Sequence, residues 1–479
     1  MSPVSSFLGG LFALTLLSHC AFAQSIAPDS EIRKILVDRI DTYRRNVGIV
    51  VGVIEPQGRR IVAYGRIGQT DPRPVNGETI FEIDSVTKVF TALLLADMVQ
   101  RGEVALTDPV AKYLPAGVKL PERRGRHITL LDLATHTSGL PGFPSNIYPA
   151  DPANPFADYT ADQLYEYLST YQLKRDIGSK YNYSNMGYGI LGQALARRAG
   201  MTYEDAIKAR ITGPLGMNST GISLSPELKS RLSSGHEAYR MEAAPPWDAP
   251  AMEGAMGLRS TVDDLLAFLS AFLGYTKTPL SPAMAAMLTV RRPTGEPRHD
   301  VALGWHTVTP GVCGRFGCKP MDVEIIWHNG MSFGYSSYIG YDPKSRVGVV
   351  ALSNAAARLE GIGDIARHLL VPRLPILDGK GLKQPGDHEE IAADPQLLDR
   401  YAGRYESPED IYTVTRDGGR LRLKTDGGLS FEMYPEANGT FFGKTEDLTM
   451  KFETDRQSRA ATLILRDEDG SIQRAKRIT

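Results

Sequence analysis

The clearest pattern of hydrophobic and polar positions begins just after Ser85. Apolar residues recur at helical spacing through Leu94, Met98 and their neighbours, which predicts a buried helix. Either Asp84 or Ser85 can start this helix, where backbone N–H groups are free and the helix dipole is positive. Ser85 and Lys88 lie three residues apart, so a helix would place the hydroxyl and the amine on one face.

The rest of residues 24–377 alternates between strand-like and helical patterns, which predicts an α+β fold. We expect one antiparallel sheet, built from two groups of strands and flanked by helices, because a block of helices separates the two groups. The predicted strands cover residues 48–54, 60–67, 302–308, 323–327, 335–341 and 347–353. The predicted helices cover residues 31–46, 84–99, 129–134, 161–171, 186–199, 202–211, 261–272 and 355–370, with a further one opening at residue 106.

The composition changes near the C-terminus. Residues 378–395 are rich in Gly, Lys, Asp and Glu and lack periodicity, as a linker does. Residues 396–479 read as short alternating strands joined by Asp-Gly turns, which predicts a small, lipocalin-like antiparallel β-barrel.

The first residues are typical of an export signal. An apolar stretch over residues 7–17 precedes Ala21-Phe22-Ala23, an Ala-x-Ala cleavage pattern. The stretch is too short to span a bilayer. We therefore expect residues 1–23 to be removed and the protein to be periplasmic or secreted; a lipid anchor on Cys20 is the alternative. No later segment is apolar enough to predict a transmembrane span.

The net charge, the histidine spacing and the cysteine content limit which partners, metal sites and disulfides the sequence supports. The formal net charge of −1 gives no reason to expect nucleic acid as a partner, and no His-x-x-x-His pair supports a metal site. We expect no cofactor. Cys313 and Cys318 bracket a short Gly-containing loop, so in an oxidising compartment they form a candidate disulfide. A zinc site would lack a second ligand pair.

Two further motifs carry possible chemistry. Tyr183 and Asn185 stand directly before a predicted helix, where a phenol can relay protons and an amide can position a substrate. His328 and Gly330 end a predicted strand, and the N–H of Met331 could complete an oxyanion hole with that of Ser85. Taken alone, each motif has a structural interpretation, and an isolated Tyr-x-Asn is more often a core aromatic residue beside a helix cap.

The order and spacing of the three motifs carry more weight than any one of them. Ser85-Val-Thr-Lys88, Tyr183-Ser-Asn185 and His328-Asn-Gly330 together resemble the serine β-lactamase and penicillin-binding-protein superfamily. The Tyr-x-Asn form is similar to the class C-like branch, the peptidase S12-type hydrolases. This resemblance covers about residues 30–370.

The resemblance implies a role for each position. Ser85 would be the acylated nucleophile, Tyr183 the proton shuttle, and Asn185 a substrate contact, while the N–H groups of Ser85 and Met331 would hold the oxyanion. Lys88 and Tyr183 both remain candidates for the acylation base. Substrates of this branch include D,D-peptides, D-amino-acid amides, esters and β-lactams.

His328 departs from the Lys-Thr-Gly of most β-lactamases. A lysine offers a permanent cation to a substrate carboxylate, whereas histidine is largely neutral at pH 7. Strong β-lactam hydrolysis is therefore not expected, and D,D-peptidase, D-aminopeptidase or esterase activity is favoured.

Three alternatives stand beside this interpretation. The protein could be a penicillin-binding sensor or scaffold that is acylated without turnover. Gly330-Met-Ser332-Phe-Gly334 matches the nucleophile elbow of α/β-hydrolases, but a strand rather than a helix is predicted to follow. Gly187-Tyr-Gly189-Ile-Leu-Gly192 matches a dinucleotide-binding pattern but lies inside a predicted helix.

Overall fold

The structure is a computed structural model of the chain. It describes residues 26–238, 241–314, 317–356, 362–377, 388–407, 411–425, 430–443, 448–455, 460–466 and 472–478. The predicted export signal, with Cys20 and the cleavage pattern, lies outside these residues. None of the helices in these ranges is long and apolar enough to cross a membrane.

An eight-stranded antiparallel sheet, whose strands differ in length, forms the centre of the N-terminal part of the chain. Its strands run in the order β2-β1-β14-β13-β12-β9-β8-β7. The strands up to residue 356 are β1 (Gly48–Glu55), β2 (Gly58–Gly65), β3 (Phe81–Glu82), β4 (Gly235–His236), β5 (Ala243–Ala244), β6 (Arg259–Ser260), β7 (Arg292–Pro293), β8 (His299–Val301), β9 (His306–Val308), β10 (Gly311–Gly314), β11 (Gly317–Pro320), β12 (Ile325–Met331), β13 (Ser336–Asp342) and β14 (Val347–Ser353).

Helices cover both faces of this sheet. They are α1 (Asp29–Val37), α2 (Thr87–Gln100), α3 (Leu130–Ala134), α4 (Ala161–Thr170), α5 (Asn185–Ala199), α6 (Tyr203–Ile207), α7 (Pro226–Ser230), α8 (Glu253–Met256), α9 (Val262–Phe272), α10 (Ser281–Ala286) and α11 (Gly363–Leu370). Short 3₁₀ turns at Asp84–Val86 and Val110–Tyr113 and π turns at Asp38–Thr42 and Lys208–Thr212 complete the set.

The strand β1 explains why helices cover both faces of the sheet. Val50 and Ile54 face a large core that contains α2, α5 and α9, while Ile49, Val51 and Val53 face a second core with α1 and α11. Side chains alternate across a strand, so a strand that is apolar at successive positions must be buried on both faces. The prediction that the two strand groups share one sheet is confirmed, because β1 pairs with β14.

The helix α2 lies within the larger core. Its residues from Thr87 to Met98 are buried on every side. A helix that is apolar on all sides is stable only inside a core. The surrounding core therefore fixes the position of the first turn of α2. That first turn follows directly from the 3₁₀ turn that contains Ser85.

Some predicted boundaries were wrong. The helix expected to open at residue 106 is only the 3₁₀ turn Val110–Tyr113, and the strand expected over residues 302–308 is limited to His306–Val308. The last helix begins at Gly363 rather than at residue 355; residues 357–361 lie outside the described ranges. In each case tertiary packing overrides local propensity.

The C-terminal part forms the predicted antiparallel barrel. Each strand pairs with the next one along the chain, and the last strand pairs with the first to close the barrel. Its core includes Leu398 and Tyr401 from a preceding helix, and β-strand residues such as Leu421 and Leu423 that alternate with outward charges. The elements are α12 (Pro395–Tyr401), β15 (Gly403–Glu406), β16 (Ile411–Asp417), β17 (Arg420–Thr425), β18 (Ser430–Glu436), β19 (Thr440–Gly443), β20 (Thr449–Thr454), β21 (Ala460–Arg466) and β22 (Ile472–Arg477).

A buried ion pair joins the two helical segments that cover one face of the sheet. Arg39 Nη2 lies 2.6 Å from Asp364 Oδ2, and both side chains are almost wholly buried. We expect Arg39→Met to lower the free energy of unfolding by about 3–5 kcal/mol, because Asp364 is left as an uncompensated buried charge. Chemical denaturation measures this change. The exposed pair Lys344–Asp322 gives the control: Lys344→Met should leave the free energy of unfolding nearly unchanged, because solvent screens this pair. Equal losses in the two variants would contradict the prediction.

Candidate active site

Ser85 and Lys88 meet at the start of α2. Lys88 Nζ lies 2.8 Å from Ser85 Oγ, 2.7 Å from Asn185 Oδ1 and 2.9 Å from the Ala255 carbonyl oxygen. The Lys88 side chain is completely buried. The helical spacing of the two residues and the burial of α2 together produce this contact.

Burial, rather than the hydrogen-bonding partners, favours a neutral amine at Lys88, because the three oxygen atoms within reach of Nζ could equally accept from a charged ammonium. Two of them, the oxygens of Asn185 and Ala255, can only accept hydrogen bonds. A neutral amine has two N–H groups for these oxygens and one lone pair, which then faces the Ser85 hydroxyl. Burial lowers the pKa of Lys88 well below its usual range, and the nearby Asp84 acts in the opposite direction. The arrangement suits proton transfer from Ser85 to Lys88.

Tyr183 reaches the same place from the loop before α5. Its ring centre lies 4.8 Å from Lys88 Nζ, and its ring stacks on His136 at 4.5 Å. The next residue, Ser184, caps α5 by accepting from the Gly187 N–H at 2.9 Å. Burial raises the pKa of Tyr183, while a hydrogen bond with Ser85 acts in the opposite direction. The phenol therefore holds its proton at neutral pH.

The end of β12 passes directly against the 3₁₀ turn. A Cβ atom on Gly330 would lie 2.2 Å from the Ile83 carbonyl oxygen and 2.9 Å from the Ser85 nitrogen. Only glycine allows this approach. Met331, which follows, has a partly exposed side chain. Two candidate oxyanion donors, the N–H groups of Ser85 and Met331, thus lie on segments in direct contact.

His328 is buried and neutral. Its Nδ1 lies 2.6 Å from the Asn329 carbonyl oxygen, so Nδ1 donates and Nε2 is left as an acceptor. Burial lowers the pKa of His328 to about 3, with Lys88 adding to the shift. The position where a lysine would offer a fixed cation therefore holds no charge at neutral pH.

A group of histidines surrounds this position. His306 lies 5.3 Å from His328 between ring centres, and His306 Nδ1 lies 3.0 Å from His299 Nε2. Burial lowers the pKa of His136, His306 and His299. These neutral rings form an uncharged wall behind Tyr183 and His328. Among the described residues, no group of three or more His, Cys, Asp or Glu side chains is arranged to hold a metal ion.

A cavity of about 270 Å³ opens over the nucleophile. It is lined by Ser85, Phe143, Tyr183, Asn185, Trp247, Met256, Asn329, Gly330, Met331 and Ser332. Most of the predicted site residues are therefore brought to one cavity, while Lys88 and His328 lie behind its lining.

Comparison with known proteins assigns the family. Residues 34–371 match the family model described as Beta-lactamase. The chain belongs to the beta-lactamase family. It is therefore a serine hydrolase, as the three motifs predicted. Residues 387–477 match a second model, described as a domain of unknown function (DUF3471).

Individual relatives agree with this assignment. The chain is 30% identical over 352 residues to the D-alanyl-D-alanine-carboxypeptidase/endopeptidase AmpH of Escherichia coli (strain K12), covering 68% of this chain and 86% of that protein. It is 28% identical over 436 residues to penicillin-binding protein 4* of Bacillus subtilis (strain 168), covering 87% and 91%. The fold is similar to a class C beta lactamase from Rhodobacter sphaeroides, with a TM-score of 0.60, 26% identity, and coverage of 72% and 98%.

The nucleophile-elbow motif does not have the required geometry in this beta-lactamase-family chain. Ser332 lies in the turn between β12 and β13, a strand-to-strand connection, whereas the elbow needs a strand-to-helix turn. Ser332 is buried, and its hydroxyl donates to Glu82 Oε2 at 3.2 Å.

The dinucleotide pattern is explained by helix packing. Gly187, Gly189 and Gly192 all lie in α5, and a Cβ atom on Gly192 would lie 2.8 Å from the Gly254 Cα of α8. The glycines allow two helices to approach closely. The pattern lacks the preceding strand that nucleotide binding requires.

The candidate disulfide is compatible with the backbone. Cys313 and Cys318 are directly opposite each other in the antiparallel pair β10–β11, with residues 315–316 outside the described ranges. The disulfide itself stays a prediction.

Sequence reasoning missed the aromatic and histidine part of the site. Phe143 lies in the Pro-rich loop after residue 141, and Trp247 in the irregular stretch over residues 219–258. Both are irregular regions of the kind that border functional sites, which was the available signal. His136 lies in a stretch typical of the family, but nothing in its local pattern indicated the contact with Tyr183.

Gly330 provides a direct test of the close approach between β12 and Ser85. We expect Gly330→Ala to lower the rate of acylation by a fluorescent penicillin at least about 100-fold, because the added methyl group separates the two oxyanion donors. Stopped-flow or gel-based labelling measures this rate. Gly419→Ala is the matched control, because a Cβ atom there meets nothing within 4 Å. Wild-type labelling of Gly330→Ala would contradict the proposed approach.

Proposed function

We propose that the chain is an exported serine hydrolase that acts through an acyl-enzyme on Ser85. The observation that carries this proposal is the contact of 2.8 Å between Lys88 Nζ and Ser85 Oγ, with the other Lys88 partners able only to accept hydrogen bonds. The predicted signal over residues 1–23 supports a periplasmic or secreted location.

The reaction would run in two halves. Ser85 Oγ attacks the substrate carbonyl carbon as its proton passes to Lys88, and the N–H groups of Ser85 and Met331 hold the oxyanion. The carbon–heteroatom bond then breaks, and Tyr183 supplies a proton to the leaving group. Water then attacks the ester carbon and gives a proton to Tyr183, or to Lys88 once Lys88 has returned its proton to Tyr183. The bond to Ser85 Oγ breaks, and Ser85 Oγ regains a proton from the protonated Lys88. Burial lowers the pKa of Lys88 and raises the pKa of Tyr183, which favours Lys88 over Tyr183 as the acylation base.

Asn185 has a double role in this scheme. Its side-chain oxygen accepts from Lys88, so its amide N–H₂ group is the part that can face a substrate carbonyl. Asn185 also lines the cavity. One side chain thus links the orientation of the base to the position of the substrate.

The lack of charge in the cavity lining indicates the substrate class. No Lys or Arg is among the described residues that line the cavity, and His328 is neutral. We propose D-amino-acid amides, D-peptides cleaved at an internal bond, or small esters as substrates, with β-lactams as poor substrates. The name of the relative AmpH, a D-alanyl-D-alanine carboxypeptidase/endopeptidase, supports the peptide choice.

A substrate panel tests the proposed class. We expect turnover of D-amino-acid amides, internal D-peptide bonds or p-nitrophenyl esters, with kcat/KM for nitrocefin and for peptides ending in a free D-Ala-D-Ala carboxylate at least about 100-fold lower, because a fixed cation for the carboxylate is missing. A burst of one equivalent without turnover would instead favour a penicillin-binding sensor. Rapid nitrocefin hydrolysis would contradict the assignment of His328.

A pair of serine variants tests the nucleophile. We expect Ser85→Ala to abolish labelling by a fluorophosphonate or fluorescent penicillin, while Ser332→Ala keeps labelling because its hydroxyl is buried against Glu82. In-gel fluorescence with intact-mass analysis measures both. Labelling that follows Ser332 instead would reverse the assignment.

The pH dependence of acylation separates Lys88 from His328. Lys88 acts in its neutral form, so the rate should fall as the pH drops through its lowered pKa. His328, with a pKa of about 3, is neutral across this range and should not contribute. We expect His328→Asn to leave the acid limb of kcat/KM at the same pH, whatever its effect on the maximal rate. A limb that moves or disappears in this variant would contradict the assignment.

A further inference from the structure

One buried histidine contacts the segment around Tyr183 through three of its groups. His136 lies two residues after the end of α3, is 2% exposed and takes no step in the reaction described above. Its carbonyl oxygen, its Nδ1 atom and its ring each meet part of the segment 182–184. Tyr183, at the centre of this segment, supplies the proton to the leaving group in the proposed reaction.

Two hydrogen bonds fix the backbone on either side of Tyr183. The Asn182 N–H donates to the His136 carbonyl oxygen at 2.8 Å, and the Ser184 N–H donates to His136 Nδ1 at 3.0 Å. A single residue thus holds the two N–H groups that flank the residue with the phenol. Because Ser184 also caps α5, the second bond links this segment to the start of that helix.

The imidazole ring adds a contact with the phenol ring itself. The centres of the two rings lie 4.5 Å apart, and the angle between their planes is 28°, which is a stacked arrangement. The rings of Tyr181 and Tyr188 pack around the same imidazole, with centres 5.6 Å and 5.0 Å away. Aromatic rings in contact prefer particular orientations. The side chain of Tyr183 is therefore held as well as its backbone.

The backbone conformation of His136 is one that usually selects glycine. The Thr137 N–H donates to the Asp132 carbonyl oxygen at 2.8 Å. The His136 N–H donates to the Leu133 carbonyl oxygen at 3.2 Å, which completes a Schellman motif at the end of α3. The φ of His136 is +56°, in the left-handed region. A large side chain persists there only when surrounding contacts favour it, and the contacts with the segment 182–184 are of this kind.

The bond from Ser184 defines which nitrogen of the imidazole carries a hydrogen. Because Nδ1 of His136 accepts a backbone N–H, it has no hydrogen of its own, and the neutral ring has its hydrogen on Nε2. A charged imidazole has hydrogens on both nitrogens and could not accept this bond. Asparagine keeps an acceptor, because its Oδ1 can take the place of Nδ1, and it tolerates the left-handed backbone. Phenylalanine keeps a ring of similar size but has no acceptor.

We propose that His136 is a positioning residue that holds the Tyr183 phenol where it protonates the leaving group. This inference rests on the proposed function, since that function assigns the leaving-group proton to Tyr183. Of the two side-chain contacts, the bond from Ser184 matters more, because a buried N–H that loses its acceptor is costly and the segment must move to pair it. The effect should depend on the leaving group, because a basic alkoxide needs a proton as it departs and p-nitrophenolate does not.

Two esters with the same acyl group test this role. Benzyl acetate and p-nitrophenyl acetate give the same acetyl-enzyme on Ser85, so a difference between their kcat/KM values arises before the leaving group has departed. We expect His136→Phe to lower kcat/KM about 10- to 100-fold for benzyl acetate and less than about threefold for p-nitrophenyl acetate. His136→Asn should keep benzyl acetate within about fivefold of wild type, because it keeps the acceptor for Ser184. Chromatography of benzyl alcohol and absorbance of p-nitrophenolate measure the two rates.

A double variant tests whether His136 acts through the phenol. Tyr183→Phe alone should lower kcat/KM for benzyl acetate at least about 100-fold, because the proton donor is lost. Adding His136→Phe to this variant should lower the rate further by less than about threefold, because the group that His136 positions is already gone. Fluorophosphonate labelling of Ser85 should persist in all of these variants, because fluoride departs without a proton, and it shows that each variant is folded.

His236 provides the matched control, because it is also a buried histidine whose ring accepts a backbone N–H. It is 1% exposed, and its Nε2 accepts from the Gln69 N–H at 3.3 Å. His236→Phe should lower the Tm, as His136→Phe does, but leave the ratio of kcat/KM for the two esters unchanged.

The outcomes separate this inference from the proposed function. Equal losses for both esters in His136→Phe, a rate for benzyl acetate as low in His136→Asn as in His136→Phe, or fully additive losses in the double variant would overturn the inference. Ester hydrolysis that survives Ser85→Ala, or wild-type hydrolysis of benzyl acetate by Tyr183→Phe, would instead overturn the proposed function.

Discussion

The burial of one amine determines the chemistry of this site. Lys88 sits inside a core that surrounds α2 on every side, and its three polar contacts are Ser85, Asn185 and the Ala255 carbonyl. In water this amine would be charged and unable to accept a proton. Desolvation favours its neutral form, in which the two carbonyl-type oxygens can take the N–H groups and leave the lone pair for the serine hydroxyl. The proposed role of Ser85 as the nucleophile therefore depends on the packing of an apolar helix.

The second constraint is the close approach of β12 to the turn that carries Ser85. Gly330 leaves no room for a side chain, and Ser332 and Ser337 bond to residues just before the nucleophile. These contacts join the central sheet to the start of α2, which come from distant parts of the chain. The same contacts explain why the sequence around Ser332 resembles a nucleophile motif without having its geometry: the glycines allow close backbone packing, and the serine bonds to the buried Glu82.

The neutral histidines around Tyr183 complete this picture. His328 stands where a lysine would supply a cation, and His136 and His306 are kept neutral by the same burial. Uncharged neighbours suit a site with a buried neutral amine at its centre. An added positive charge would make it harder for the amine to accept a proton, and an added negative charge would keep the amine protonated. The aromatic side chains of Phe143 and Trp247 extend the uncharged surface into the cavity.

The sequence by itself determined the fold class and the family, since apolar periodicity and the spacing of Ser85, Lys88, Tyr183, Asn185 and His328 need no knowledge of distant contacts. It also predicted the sheet shared by two strand groups and the barrel. Only the tertiary structure decided which polar groups meet: the partners of Lys88, the neutral surroundings of His328, and the hydrogen bond from Ser332 to Glu82. Burial and hydrogen bonding between residues hundreds of positions apart set these properties, and local sequence carries no record of desolvation.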